Sequence, residues 1–445
     1  MKSASSSEAR VRATHPKSAH PIRPIAAAVV AIGLLTGGPA IAEDSPPIAI
    51  THARVYVPGN RPPLEDATVV VANGRILSVG PAAKAPASAR TIDARGKVVT
   101  PGFIDANTDV GVVDVELEPE ANDTDVRGGP LTPALRMVDG YNPRSTVVDI
   151  ARSGGVTSVI VAPRSNLLGG QGAFVDLAGD SVSDAVVRPS LGQYARVDDD
   201  TVQTDAGTRS GLWLMLREAL DDARFYGAHR GQYDTNASRP LRLSRQGLEA
   251  LQPVLRGEQP LVITAHRAGD IEAAMRLADD FKLKLVVEGA SEAWLVADEL
   301  AKRKIPVVID PLENLPARFD RLHARSANAT LLADAGVAVV ISTFSADEVR
   351  LLWQHAGNAV RLGMDHDAAI RAVTEAPADA FGLKGYGRIE PGAVANVVVW
   401  SGDPFQTSTH VEHVLVRGRE RILETRQTLL LRRYRTVPPV RDGTR

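Results

Sequence analysis

The stretch Val98-Val99-Thr100-Pro101-Gly102-Phe103-Ile104-Asp105-Ala106-Asn107-Thr108-Asp109 constrains the fold of this chain more than any other. Val98 and Val99 are β-formers, Pro101-Gly102 punctuates, and Phe103-Ile104 resumes the apolar run. The run closes on Asp105, Asn107 and Asp109, polar residues two apart, which a strand would set on one face. Such a tip suits the C-terminal end of a parallel barrel strand, where barrel enzymes build their sites.

On either side of this stretch the pattern differs. Residues 48–57 and 67–71 are rich in β-branched residues, and Asn73-Gly74 is a strong hairpin signal, so 47–98 reads as a small antiparallel β module. Beyond it strands alternate with helices. Strands are expected over 155–162, 260–265, 284–287, 305–309 and 337–342, and helices over 145–153, 212–226, 245–256, 270–281, 292–303 and 365–382. That rhythm argues for βα units, and a count close to eight favours an α/β fold with a TIM-like (β/α)8 barrel over an open sheet. No Gly-x-Gly-x-x-Gly fingerprint follows any strand, which argues against a dinucleotide fold. Residues 395–400 and 413–416 return to strand. The expected organisation is a composite β-sandwich from 47–98 and 386–425 around a barrel over 99–385.

Composition excludes some classes of function. A formal net charge of −2 and 4% aromatic residues over 445 residues give no basis for nucleic-acid binding. With no cysteine, disulfides, thiolate ligands and a cysteine nucleophile are all absent. At the N-terminus, Lys2, Arg10, Arg12, Lys17 and Arg23 precede an apolar run over 25–35 and a small-x-small site at Ala40-Ile41-Ala42. This is the layout of a signal peptide over 1–42, with a periplasmic or secreted product and no stable membrane insertion after cleavage; the alternative is a retained N-terminal anchor.

The lead-in Pro101-Gly102-Phe103-Ile104-Asp105-Ala106 resembles the first-strand signature of the amidohydrolase superfamily, in which a His-x-His metal-binding pair follows. Four further stretches resemble its imidazolonepropionase-related branch: Asn142-Pro143 with Ala151-Arg152-Ser153-Gly154-Gly155-Val156-Thr157, Ser165 to Gly172, Ala265-His266-Arg267-Ala268-Gly269-Asp270-Ile271, and Thr374-Glu375-Ala376-Pro377-Ala378. The resemblance implies a site of one or two divalent metals held by the first-strand pair, a strand-five histidine, a strand-six histidine and a strand-eight aspartate. His266 matches the strand-five position. Asn107 and Asp109 stand at the first-strand pair, Glu288 at the strand-six position, and Ser342-Thr343 at the strand-eight position. Asn396 stands where the family's C-terminal run has an aspartate.

Metal-assisted hydrolysis needs a metal to acidify a bound water and a base to move its proton. Asparagine is a poor ligand, and serine or threonine is a poor base. The candidate pocket is therefore Asp105, Asn107, Asp109, Asn166, Gln171, His266, Arg267, Glu288, Ser342 and Thr343. Within it, His266, Asp109 and Glu288 are the expected trio for one harder divalent ion, and the cofactor expectation stays open between one such metal and none. Asn166 and Gln171 lie on a loop that could bind a carbonyl or carboxylate, and Arg267 could clamp a carboxylate. Two functions fit. One is an exported amidohydrolase-like enzyme hydrolysing a C–N bond in a cyclic amide or amide-like small molecule; the other is a catalytically inactive homologue that binds a small ligand or a partner.

Overall fold

The computed structural model describes residues 46–435 except 60–61, 116, 125–128 and 165, all within the compact unit 41–445. The expected signal peptide, 1–42, lies outside the described residues. Among the described residues no helix is long and apolar enough to cross a membrane.

The first sheet begins with β1 (Ile48–Val55), β2 (Leu64–Ala72), β3 (Arg75–Gly80), β4 (Arg90–Asp93) and β5 (Val98–Pro101). The β2–β3 turn is Asn73-Gly74, with φ of +50° and +74°, as the hairpin signal demands. β5 then passes into the barrel strand β6 (Phe103–Thr108) through the single residue Gly102. A Cβ at Gly102 would sit 2.1 Å from Thr157 Oγ1, so only glycine lets the chain pass this close to the neighbouring barrel strand.

The barrel continues with β7 (Val156–Val161), β8 (Leu168–Asp176), β9 (Val186–Arg196), β10 (Leu261–Ala265), β11 (Leu285–Gly289), β12 (Val307–Ile309) and β13 (Val339–Ile341), hydrogen-bonded in sequence order into a nearly closed eight-stranded sheet. Inside it pack Ile104, Ala106, Ile160, Phe174, Val262, Val286, Val308 and Val340, since alternate residues of each strand face inward. Outside lie helices including α1 (Thr146–Ser153), α2 (Arg209–Ala228), α3 (Ala268–Phe281), α4 (Ala297–Arg303), α5 (Asn328–Asp334), α6 (Leu352–Arg361), α7 (His366–Ala372) and α8 (Glu375–Ala380).

One strand departs from the expected parallel barrel. β8 runs antiparallel to both β7 and β9, so Gln171, expected on a loop, lies within a strand. Gly169, Gly170 and Gly172 hide this strand because glycine carries little strand propensity. Close packing explains two of these glycines: a Cβ at Gly172 would meet the Tyr194 ring at 2.4 Å, and one at Gly170 would meet Leu135 O at 2.7 Å.

The chain returns to the first sheet as β14 (Val397–Trp400), β15 (Val411–Val416) and β16 (Arg419–Arg421), with β14 antiparallel to β5. The antiparallel course of β8 brings Asp176 to the foot of the barrel, facing this sheet. Its buried carboxylate accepts from Ser158 Oγ at 2.7 Å, Asn396 Nδ2 at 3.0 Å, Tyr386 OH at 2.9 Å and Arg417 Nε at 2.5 Å. Asn396 therefore pins barrel to sheet.

Candidate functional site at the mouth of the barrel

At the C-terminal strand ends, the three polar residues of β6 and its tip face three different partners. Two register irregularities interrupt the β6–β7 pairing, one of them between Asp105 and Thr108, so the simple two-residue alternation fails. Asp105, fully buried, is bonded by Ser342 Oγ and by Thr343 Oγ1 at 2.5 Å. Asn107 donates its side-chain amide to Glu288 Oε2 at 2.8 Å, and its backbone N–H to Ser342 Oγ at 3.0 Å. Asp109 lies beyond the strand and faces Arg164, with Nε 2.9 Å from Oδ2 in a geometry that does not make a hydrogen bond.

The β10 and β11 ends complete the cluster. Glu288 Oε1 accepts from Thr264 Oγ1 at 2.7 Å, so both of its carboxylate oxygens are engaged. His266 Nδ1 and Ser291 Oγ share a 2.8 Å hydrogen bond. The imidazole packs closely against Gly289, whose φ is +76° and where a Cβ would stand 2.6 Å from His266 Cε1. Tyr194 OH, deeply buried, has no hydrogen-bond partner among the described residues.

A strap over 310–323 crosses this end. Asp320 N donates to Asp199 Oδ2 at 3.1 Å and Asp199 N donates to Asp320 Oδ2 at 3.0 Å, while Arg209 bridges Asp199 and Asp270 at 2.5 and 2.8 Å. Arg321 pairs with Glu313 at 3.0 Å, and Glu313 reaches within 3.9 Å of His266 Nδ1.

Burial dominates the titration of these groups. Desolvation raises Asp105 from 3.8 to about 6 despite the hydrogen bonds that favour its anion. Desolvation also raises Glu288 above the usual carboxylate range. It lowers His266 to about 4, with the nearby Arg321 charge adding to the effect, so its imidazole is neutral at pH 7.

The expected metal trio is not assembled. Among the described residues no group of three or more His, Asp and Glu side chains is placed to hold a metal ion. The physical reason is that each candidate already has a partner: Asp109 has Arg164, Glu288 has Asn107 and Thr264, and His266 has Ser291. Asn107 moreover turns its donor group, not its oxygen, toward Glu288. These residues do not fit the divalent metal that the family resemblance implies.

Other candidates are held elsewhere. Gln171 Nε2 donates to Pro133 O at 3.3 Å, and Asn166 Nδ2 to Thr132 Oγ1 at 3.2 Å, tying the glycine-rich segment to residues 132–136. Arg267 is exposed at the start of α3 and makes no ion pair among the described residues. Thr264, Tyr194, Ser291 and Arg164 are the participants that sequence reasoning missed. The first three look like ordinary strand or loop residues, and Arg164 is one of many arginines. Its place just past a buried strand was the available signal.

Comparison with known proteins agrees with this architecture. The family model described as Amidohydrolase family matches residues 264–421. Amidohydrolase tasK of Hapsidospora irregularis is 24% identical over 387 residues, 79% of this chain and 39% of its own length, so this chain spans well under half of that relative. An imidazolonepropionase of Streptomyces griseus subsp. griseus is 26% identical over 396 residues, covering 79% of this chain and 92% of its own. A solved amidohydrolase from Thermotoga maritima superposes with a TM-score of 0.77 at 29% identity, covering 84% of this chain and 99% of that one. The chain belongs to the amidohydrolase superfamily.

Proposed function

We propose that the mouth of this barrel binds a cyclic amide or amide-like small molecule and does not hydrolyse it through a metal-bound water. The observation that carries this reading is the closed set of bonds Thr264–Glu288–Asn107, which occupies carboxylate oxygens a metal would need. Asp109 Oδ1, Arg164 Nε and Tyr194 OH are buried at the same end without hydrogen-bond partners among the described residues. A cyclic amide offers both a donor and an acceptor, which is the complement such atoms lack. The imidazolonepropionase relatives support the choice of a cyclic amide.

A second reading is C–N bond hydrolysis of the same class of molecule. It is favoured by Asp105, whose carboxyl at about 6 falls in the working range of a general acid or base.

Calorimetric titration with a panel of hydantoins, lactams and imidazolones should give saturable binding without ring-opened product, and Arg164→Gln should weaken it about tenfold. A ring-opened product whose rate collapses on chelation would overturn the proposal. A chelator-insensitive product lost in Asp105→Asn would establish the second reading instead. Export rests on the N-terminal sequence, and N-terminal sequencing of the mature protein should begin near Glu43.

A further inference from the structure

A cleft of about 1160 Å³ opens at the opposite end of the barrel, where β11 and β13 begin. That is above the roughly 300–1,000 Å³ common for small-molecule sites. Its apolar lining includes Leu285, Ile305, Val339 and Phe381.

The charges around this lining do not balance. Three of the lining carboxylates are already paired: Asp279 with Arg303 at 2.5 Å, Glu258 with Arg256 at 2.6 Å, and Asp379 with Arg388 at 2.7 Å. The fourth, Glu375, accepts the Gly59 N–H at 3.0 Å. Against them, Arg188, Lys284, Lys304 and Arg371 also line the cleft, and none of the four makes an ion pair among the described residues. Among the described residues Arg371 Nη1 is moreover buried with no hydrogen-bond partner. Arg371 also lies within electrostatic reach of Glu375, the one lining carboxylate that has no ion pair among the described residues.

We infer that this cleft binds an amphipathic organic anion, an aliphatic body carrying a carboxylate head. The head answers the excess positive charge of the lining, and the body covers its apolar part. A small polar anion would leave that lining wet, and a neutral hydrocarbon would leave the cations unanswered. The site is separate from the mouth of the barrel and does not depend on the function proposed there.

Octanoate, octanol and acetate serve as probes by isothermal titration calorimetry on the full chain. Octanoate should bind near one equivalent, and octanol and acetate each at least about tenfold more weakly. Lys284→Glu combined with Lys304→Glu changes exposed side chains only. It should leave the melting temperature of the free protein unchanged and weaken octanoate by about tenfold or more. Arg371→Gln should weaken it comparably, while Arg164→Gln, at the other end, should not affect it. Absence of saturable octanoate binding, equal binding of octanol, indifference to the charge reversals, or loss of binding in Arg164→Gln would each overturn the inference.

Discussion

Replacing Asp105 with asparagine tests whether the centre of the barrel mouth is strained by burial of a charge. The Asp105 carboxyl has no exposed surface and is bonded by Ser342, Thr343 and the backbone, yet it keeps its proton up to about pH 6 because desolvation outweighs those bonds. In the unfolded chain the same group loses its proton near 3.8. Between these values the folded protein binds more protons than the unfolded one, so stability falls as pH rises through the window. The penalty is absent below pH 3.8 and complete above about 6. A rise from 3.8 to about 6, at 1.36 kcal/mol per tenfold, makes it about 3 kcal/mol. Asp105→Asn removes that penalty at a cost of about 1 kcal/mol in altered hydrogen bonds. Urea unfolding of both proteins from pH 4 to 8 isolates the effect, since groups shared by the two largely cancel in the difference. The stability difference should swing by about 2 kcal/mol in favour of asparagine between pH 4 and 7, since part of the penalty is already present at pH 4, then flatten. A difference that stays constant across that range would refute the reasoning.

Two further perturbations probe the parts that hold the site. Gly289→Ala forces a Cβ to 2.6 Å from His266 Cε1 at a φ of +76°, and should cost about 2–4 kcal/mol in chemical denaturation. Adding His266→Ala should return part of that loss, because it removes the collision but not the backbone strain. Asp176→Ala strips the common acceptor from Arg417, Asn396, Tyr386 and Ser158, and should cost about 3–5 kcal/mol, read as a lower urea midpoint with unchanged slope.

How far the sequence revealed all this depends on the range of the interactions involved. The passage from sandwich to barrel was legible because Val98-Val99, Pro101-Gly102 and Phe103-Ile104 are local signals, and the structure sets β5 and β6 on either side of Gly102. The hairpin at Asn73-Gly74 was legible for the same reason. β8 was not, because its glycines are there to admit Tyr194 and Leu135, which are distant in sequence. At the site, residue types could be nominated but their partners could not. Asn107 meets Glu288 across 181 positions, and Asp105 meets Ser342 across 237. The irregular β6 pairing also breaks the alternation that placed Asp105, Asn107 and Asp109 on one face.

The same long-range bonds decide whether the family's first-strand pair could simply be put back. β6 and β13 are the two ends of the hydrogen-bonded strand order, and Ser342 joins them by contacting Asp105 and both backbone groups of Asn107. Asn107 thus takes part in closing the barrel as well as in holding Glu288. Asn107→His with Asp109→His would restore two imidazoles, but it would remove the amide that satisfies Glu288 and leave Arg164 facing no carboxylate. Each buried group deprived of its partner costs about 1–3 kcal/mol, so the double variant should be destabilised by about 2–6 kcal/mol. With Glu288 still at the strand-six position and Ser342 at the strand-eight position, it should also gain no stoichiometric zinc, measured by elemental analysis after dialysis against the ion. A double variant that bound one equivalent of zinc and melted higher for it would show that the Asn107–Glu288 bond yields to a metal, and that the mouth remains one step from a metal centre.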